Sequence, residues 1–245
     1  MQEYQSPQSR TATLEDSYSY TEIDTRTVVG SHRDEIAPAA TFRYRVVKRC
    51  LDIFLVLITS PVILLAIGII ASLVVLSSPG PIFYSHRRIR KNAAFFSMWK
   101  FRTMCVNSAE VLEEHLAANP VARSEWNKTH KLRNDPRITP IGLFLRRYSL
   151  DELPQFWNVL MGQMSLVGPR PIVAAEVEKY KDKFGCYCRV RPGLTGLWQV
   201  SGRSGLTYDE RVALDCTYVE GWSLRRDFVI LLKTYSTVIN QDGAY

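Results

Sequence analysis

The sequence predicts a small mixed α/β domain with amphipathic interfacial helices, carried behind an N-terminal apolar helix that a proline breaks and turns back. Three observations predict it. A bilayer-length apolar run extends from Cys50 to Leu76 with Pro61 inside it. Both flanks of that run are basic. From Pro79 onward, short strand-like and helix-like segments alternate as they do in compact domains. The chain therefore divides into a tail at 1–40, a basic collar and membrane helix at 41–78, and a globular region at 79–245.

Residues 1–40 are rich in Ser, Thr, Glu, Asp, Arg and Gln and carry no lasting apolar period. Such a segment buries too little apolar surface to offset its ordering entropy, so a flexible tail is expected. The collar, Arg43-Tyr44-Arg45-Val46-Val47-Lys48-Arg49, leads into the apolar run, whose one charge is Asp52. About 20 apolar residues suffice to span a bilayer. Ser60-Pro61 sits near the middle, and an interior proline removes a helical hydrogen bond and kinks the helix. Arg87, Arg88, Arg90 and Lys91 follow the run. Positive charge favours the cytoplasmic side, so a straight span would strand one basic flank on the wrong face. A helix broken at Ser60-Pro61 that enters and returns satisfies both flanks. A buried core helix fits less well, because such helices seldom run this long without polar residues.

Beyond Pro79, Ile82–Ser85 and Phe95–Lys100 read as strands around a basic turn. Asn107–His130 carries a helical pattern with mixed charges. Ile141–Arg147 is apolar on one side and basic on the other, which suits a membrane surface and a packed surface helix equally. Leu153–Met161 and Phe228–Ile239 read as further helices.

A net charge of +7 and a pI near 9.2 suit nucleic acid, anionic lipid or phosphorylated small molecules. Nucleic acid is disfavoured: the aromatics are not interleaved with the cations as a stacking platform, and a bilayer-length run is foreign to that class. The five cysteines form neither a disulfide framework nor a zinc spacing, so reduced thiols are expected. The first apolar run begins near Cys50, which does not read as a signal peptide.

Three clusters carry candidate chemistry. Ser149-Leu150-Asp151-Glu152-Leu153-Pro154-Gln155 places two adjacent carboxylates before an apolar helical run, where Ser149 could cap and the acids could merely complement the helix dipole. Gly168-Pro169-Arg170-Pro171 holds an arginine, whose planar fork matches phosphate oxygens, on a rigid turn that taken alone reads as plain surface. Arg189 to Arg203 combines glycines with arginines. Its backbone amides could cradle phosphate, or it could be a hairpin with turn glycines; it is not a P-loop. Lys100 and Arg102 follow a candidate strand. One carboxylate pair among several cationic turns is what metal-assisted chemistry on a diphosphate requires.

Taken in order, the motifs resemble a known family. Lys48-Arg49 with Asp52, Ser60-Pro61, Gly80-Pro81, KFRTM from Lys100, DPRIT from Asp135 and SLDELPQ from Ser149 are followed by Asn158-Val159-Leu160, MSLVGPRP from Met164, RPGLTG from Arg191, Gln199-Val200, and Asp215 with Tyr218. This set resembles the bacterial sugar transferases, monotopic phosphoglycosyl transferases that act on polyprenyl phosphate, in their short form. The resemblance implies transfer of a hexose-1-phosphate from a UDP-sugar to undecaprenyl phosphate with release of UMP, at the start of surface-glycan synthesis. It implies Asp151 as nucleophile, forming an aspartyl sugar-phosphate, and Glu152 as its partner, the two holding Mg²⁺. It also implies Lys100, Arg102, Arg170, Arg191 and Asp215 around the nucleotide sugar, and Ser60 and Pro61 as the break of the re-entrant helix. The implied setting is the bacterial inner membrane, with the globular region on the cytoplasmic face, and a homodimer is compatible with it. Galactose-1-phosphate is favoured over glucose-1-phosphate. Two departures concern the basic turn, where Arg90 and Ala93 replace frequent glycines, and Gln163 stands where an acid is common.

Overall fold

The computed structural model describes residues 41–42, 44–202 and 205–239, so the tail at 1–40, Arg203 and the C-terminal Gly243-Ala244-Tyr245 lie outside the described residues. A π-helical turn, Tyr44–Lys48, leads into α1, Arg49–Ser77. The helical assignment passes unbroken through Pro61. Just before it, the Ser60 hydroxyl donates to Leu57 O at 2.7 Å and Thr59 donates to Leu55 O at 2.7 Å. These side chains satisfy carbonyls in the turn where the ring disturbs the regular ladder.

The two ends of α1 dock on the globular body and its middle does not. Val56 joins the main core with Val159, Met164 and Tyr218, while Ile70 and Val74 pack with Phe101 and Leu145. None of residues 57–69 is buried. Val62 is 73% exposed and Leu65 68% exposed, which makes this stretch a continuous apolar surface.

β1, Phe83–Ile89, pairs antiparallel with β2, Phe95–Phe101, from Phe83↔Phe101 to Ile89↔Phe95. The basic turn between them places Asn92 at φ 61° and Ala93 at φ 55°. Ala93 therefore occupies a left-handed conformation better suited to glycine. The helical pattern expected over Asn107–His130 is realised as two helices, α2, Ser108–Ala118, and α3, Pro120–Thr129. Pro120 cannot continue α2. Asn119 instead caps α3, its side chain accepting from Val121 N and Ala122 N.

α4, Pro140–Arg147, starts with Thr139 as cap and Pro140 in the first turn. Leu145 is buried, whereas Leu143 and Phe144 are half exposed beside the terminal Arg146 and Arg147. α4 lies so close to the chain after β2 that a Cβ on Gly142 would stand 2.0 Å from Thr103 O. That carbonyl already accepts from Thr139 N at 3.0 Å. Gly142→Ala must push α4 away and is expected to cost about 1–3 kcal/mol, read as a fall in the thermal midpoint.

α5, Gln155–Leu160, is followed by β3, Ser165–Val167. Two single-turn helices, α6, Val177–Tyr180, and α7, Phe184–Tyr187, lead to β4, Gly193–Thr195, which pairs parallel to β3. α8, Tyr208–Glu220, and α9, Leu224–Ile239, complete the fold. Among the described residues the fold is thus helix-rich and mixed, with two small sheets. Sequence periodicity did not reveal α8, although Thr207 and Glu210 form a capping box at its start, a readable signal.

A buried polar network fastens α1 to the body. Lys48 Nζ lies 2.9 Å from Asp227 Oδ2 on α9 and 3.5 Å from Asp52 Oδ1. Asp52 accepts from Ser165 Oγ at 2.8 Å and Leu166 N at 3.2 Å. Asp227 accepts from Trp222 Nε1 at 3.0 Å, and its Oδ1 lies 2.8 Å from the Tyr218 hydroxyl.

Candidate active site

β2, the turn after α4, and the segment after β3 bring the candidate residues together. In the β2 strand, Lys100 alternates onto the face that carries Phe96 and Met98. Asp151 and Glu152 occupy a 3₁₀ turn, Leu150–Glu152, ahead of α5. The expected capping by Ser149 is not observed: its side chain makes no cap bond, and Pro154 stands at the start of α5. Ser149 instead reverses the chain through φ 55°, a left-handed conformation that serine tolerates only at a cost. α5, which follows the turn, is tied to β2 by Asn158, which is fully buried. Its Oδ1 accepts from Trp99 N at 3.1 Å, and its Nδ2 donates to Ser97 O at 2.8 Å and Gln163 Oε1 at 2.6 Å. Asn158 thus fixes the register between the carboxylate turn and the strand that carries Lys100.

Lys100 Nζ lies 3.3 Å from Asp151 Oδ2 and 2.7 Å from Glu152 Oε1. Burial pushes the Asp151 carboxyl above the ordinary range, with Lys100 opposing and Glu152 adding to the rise. Burial also acts to raise Glu152, but the charges of Lys100, Arg170 and Arg88 outweigh it and hold Glu152 low. Burial alone would lower the Lys100 pKa, yet the two carboxylates keep it raised. Two neighbouring acids in unlike environments and one shared cation form a compact, strongly polar centre.

Arg170 reaches the same centre from the segment after β3. Gly168 and Gly193 beside it do not turn a hairpin but sit where two parallel strands join. Gly168 N donates to Thr195 O at 2.9 Å and Gly193 N to Pro169 O at 2.7 Å, so both amides are used in joining parallel strands. A Cβ on Gly193 would stand 2.1 Å from Gly168 N. These glycines permit backbone-to-backbone contact that holds Arg170 on a stiff base. The Arg170 guanidinium carbon lies 5.8 Å from the Trp198 ring centre, and that of Arg211 lies 4.9 Å from it.

An open cavity of about 2120 Å³ lies over the centre, lined by Lys100, Asp151, Glu152, Arg170, Trp198 and Tyr208 among others. Its size exceeds that of ordinary small-ligand pockets, about 300–1,000 Å³, and leaves room for two substrates.

The other expected site residues are placed differently. Arg102 borders the cavity, but its guanidinium donates to Ser78 O at 2.7 Å and to Pro79 O, fastening the exit from α1. Arg191 lies away from the dyad beside Arg49, its Nε donating to Gly162 O at 2.8 Å. Asp215 on α8 is buried behind Tyr180, whose hydroxyl donates to Asp215 Oδ2 at 2.8 Å. Tyr180 itself borders the cavity. Sequence reading assigned no role to Tyr180, Trp198, Tyr208 or Arg211, although Trp198 lies within the glycine-rich stretch from Arg189 to Arg203. It also passed over Asn158 as a clamp.

Burial raises Asp215 to about 8, against the opposing hydrogen bond from Tyr180 and the charge of Arg170. In the unfolded chain its pKa is about 3.9. The folded state then holds the proton more tightly, so this group's contribution to stability falls as pH rises from about 4 to about 8. Asp215→Asn keeps an acceptor for Tyr180 and removes the ionisation. Its thermal midpoint is expected to gain on wild type progressively as pH rises across that window.

Among the described residues, no cluster of three or more His, Cys, Asp or Glu side chains could hold a metal. Asp151 and Glu152 offer two carboxylates. Mg²⁺ commonly takes one or two carboxylates and completes its shell with water and substrate phosphates, so the pair fits that ion's needs.

The sequence matches the family model described as "Bacterial sugar transferase" over residues 43–241. A relative from Salmonella typhimurium named "Undecaprenyl-phosphate galactose phosphotransferase" is 55% identical over 166 residues, 68% of this chain and 35% of the relative. A "UDP-galactose-lipid carrier transferase" from Erwinia amylovora is 50% identical over 201 residues, 82% of this chain and 42% of the relative. The "Exopolysaccharide production protein ExoY" of Rhizobium meliloti is 49% identical over 202 residues, 81% of this chain and 88% of the relative. The chain thus spans less than half the length of the first two relatives and most of the third.

Proposed function

The chain belongs to the bacterial sugar transferase family, and from that premise we propose that it moves a hexose-1-phosphate from a UDP-sugar to undecaprenyl phosphate, releasing UMP. The observation that carries this reading is the Lys100–Asp151–Glu152 cluster beneath a wide cavity with Arg170 at its wall. Galactose-1-phosphate is the favoured group, in keeping with the names of two relatives, and glucose-1-phosphate comes next. The product would start surface-polysaccharide assembly, in line with the name of the third.

In this reading Asp151 Oδ attacks the β-phosphorus of the UDP-sugar. A bond from Asp151 oxygen to phosphorus forms, the bond from phosphorus to the bridging oxygen breaks, and UMP departs with that electron pair. An oxygen of the lipid phosphate then attacks the same phosphorus and frees Asp151. The carboxylate needs no base to activate it, but it must approach an anionic diphosphate. Lys100 and Arg170 reduce that repulsion, and Arg170 presents its fork to phosphate oxygens. Asp151 and Glu152 are also the residues that would hold Mg²⁺, which when bound supplies charge neutralisation on the diphosphate.

α1 is proposed as a re-entrant membrane helix that sets the globular region on the cytoplasmic face of the inner membrane. Its length and composition suit a membrane, with a mean hydropathy of 2.9 within Tyr44–Ser77. Docking of both ends on one body, with the exposed apolar middle between them, supports a helix that enters and returns. Half-exposed Leu143 and Phe144 on α4 supply a further interfacial contact.

The test is UMP release by the full chain in nanodiscs with undecaprenyl phosphate and Mg²⁺, offered UDP-galactose, UDP-glucose or UDP-N-acetyl sugars in turn. Release with UDP-galactose above the others is expected. No release with any of them would overturn the proposal.

A further inference from the structure

We propose that Arg211 anchors the nucleoside-phosphate half of the donor, the phosphate that leaves as UMP. The inference rests on the transferase reading and gives a ligand to a cation that neither the sequence motifs nor the dyad accounts for. Arg211 stands in the first turn of α8. Its side chain is partly buried and borders the same cavity as Lys100, Asp151, Glu152 and Arg170. The guanidinium carbon lies 4.9 Å from the centre of the Trp198 ring, which lines that cavity too. Stacking on the indole holds the group in place. Its Nε is enclosed and meets no acceptor among the described residues. The terminal nitrogens Nη1 and Nη2 are therefore the donors left for an incoming oxyanion.

The carboxylates on the same helix are engaged elsewhere. Glu210 accepts from Thr207 N at 2.7 Å and Thr207 Oγ1 at 2.8 Å, Asp209 lies 3.7 Å from Lys181 Nζ, and Asp215 accepts from Tyr180. Arg170 approaches the same indole from the segment after β3, its guanidinium carbon 5.8 Å from the ring centre. Two guanidiniums beside one ring repel each other, and an anion between them relieves that repulsion. A diphosphate brings two linked anionic groups to such a pair, and the guanidinium fork matches their oxygens. Arg170 is the cation whose charge acts on Glu152, so it serves the phosphate at the dyad and Arg211 the next one along. When the bond from the β-phosphorus to the bridging oxygen breaks, negative charge settles on the departing phosphate. A cation there assists departure as well as binding.

The lipid phosphate is the other anion that must enter the cavity, and the packing assigns it a different part of the lining. Leu150 and Leu153 border the cavity and pack with Ile70 and Val74 of α1, the helix read as membrane-embedded. Val212, next to Arg211, is buried instead with Ile89, Ala93, Ile172, Tyr180 and Tyr187, in a cluster that holds no α1 residue. Arg211 thus belongs to the part of the cavity open to the water-soluble substrate.

Isothermal titration calorimetry of the detergent-solubilised full chain with UMP tests the assignment. Parallel arms use uridine, which lacks the phosphate, and farnesyl phosphate, a short stand-in for the lipid acceptor. Arg211→Gln should weaken UMP binding about tenfold, as loss of one charge-assisted contact implies, and leave uridine and farnesyl phosphate unchanged. Arg211→Lys keeps the charge but not the fork and should fall between Arg211→Gln and wild type. It also carries the test should Arg211→Gln lower the thermal midpoint. Lys128→Gln, on α3, should match wild type. Unchanged UMP affinity in both Arg211 variants, or a loss of farnesyl phosphate affinity equal to that of UMP, would overturn the proposal and leave the transferase reading in place. Wild type that bound no UMP would overturn the transferase reading itself.

Discussion

Asp151→Asn is expected to lower UMP release by at least on the order of 10³-fold while leaving the thermal midpoint close to wild type. The substitution keeps the shape and one acceptor oxygen for Lys100, which lies 3.3 Å from Oδ2. It removes the negative charge and the nucleophilic oxygen pair. Because burial raises Asp151 against the attraction of Lys100, the neutral amide is tolerated in the fold. A loss of activity without loss of stability therefore separates a chemical role from a structural one. Glu152→Gln would not make the same distinction, since Glu152 is held ionised by Lys100, Arg170 and Arg88 and its loss disturbs all three. A variant at Asp151 that retained most of its UMP release would show that the attacking oxygen belongs to the lipid phosphate alone.

The largest expected effect on stability is in the buried network at the start of α1. Asp227→Ala should destabilise the fold by about 3–5 kcal/mol, the usual cost of breaking one partner of a buried ion pair. The Lys48 and Asp227 side chains are only 5% and 11% exposed. Removing the carboxylate leaves Lys48 with Asp52 at 3.5 Å and deprives Trp222 Nε1 of its acceptor. The damage should spread along α1, because Lys48 and Asp52 are its attachment to β3 and α9. A double variant, Lys48→Met with Asp227→Leu, removes both charges together. It should be less destabilised than the sum of the single changes by at least about 1 kcal/mol. Thermal or urea unfolding of the four proteins reads this directly. Simple additivity would show that the pair is not coupled.

These two centres differ in how far the sequence disclosed them. Asp151 and Glu152 stood out only because cationic turns surrounded them in the chain; the pair alone reads as helix capping. The structure gives them a 3₁₀ turn instead, set by the left-handed Ser149, which no periodicity reveals. Lys100 and Arg170 were legible as cations beside a strand and on a proline-stiffened turn. Both reach the cavity, and Lys100 contacts the dyad. Arg191 and Arg102 carry the same side-chain chemistry, yet backbone carbonyls engage them elsewhere. Residue type announces what a group can bind, whereas long-range packing decides what it meets.

The elements followed the same division. β2, α4 and α9 were readable from alternation and helical period, because each has one buried and one exposed face, whereas β1 runs on through Arg87 and Arg88 to Ile89, beyond the Ser85 that the sequence suggests. The glycine-rich stretch was not, because parallel pairing of β3 with β4 joins segments far apart in sequence. The split between α2 and α3 was readable at Asn119-Pro120, where a cap and a first-turn proline coincide. The buried network was hidden for a physical reason. Lys48, Asp52 and Asp227 look like ordinary charges in amphipathic segments until the fold removes them from water.

The most direct test of the account is intact mass spectrometry of the purified chain incubated with Mg²⁺ and UDP-galactose in the absence of undecaprenyl phosphate. The account predicts a mass gain of one hexose phosphate, located on Asp151 by peptide mapping, missing in Asp151→Asn and discharged when the lipid is added. UMP release that requires the lipid, with no adduct at any time before it, would contradict a covalent aspartyl step and leave Asp151 as a binding group.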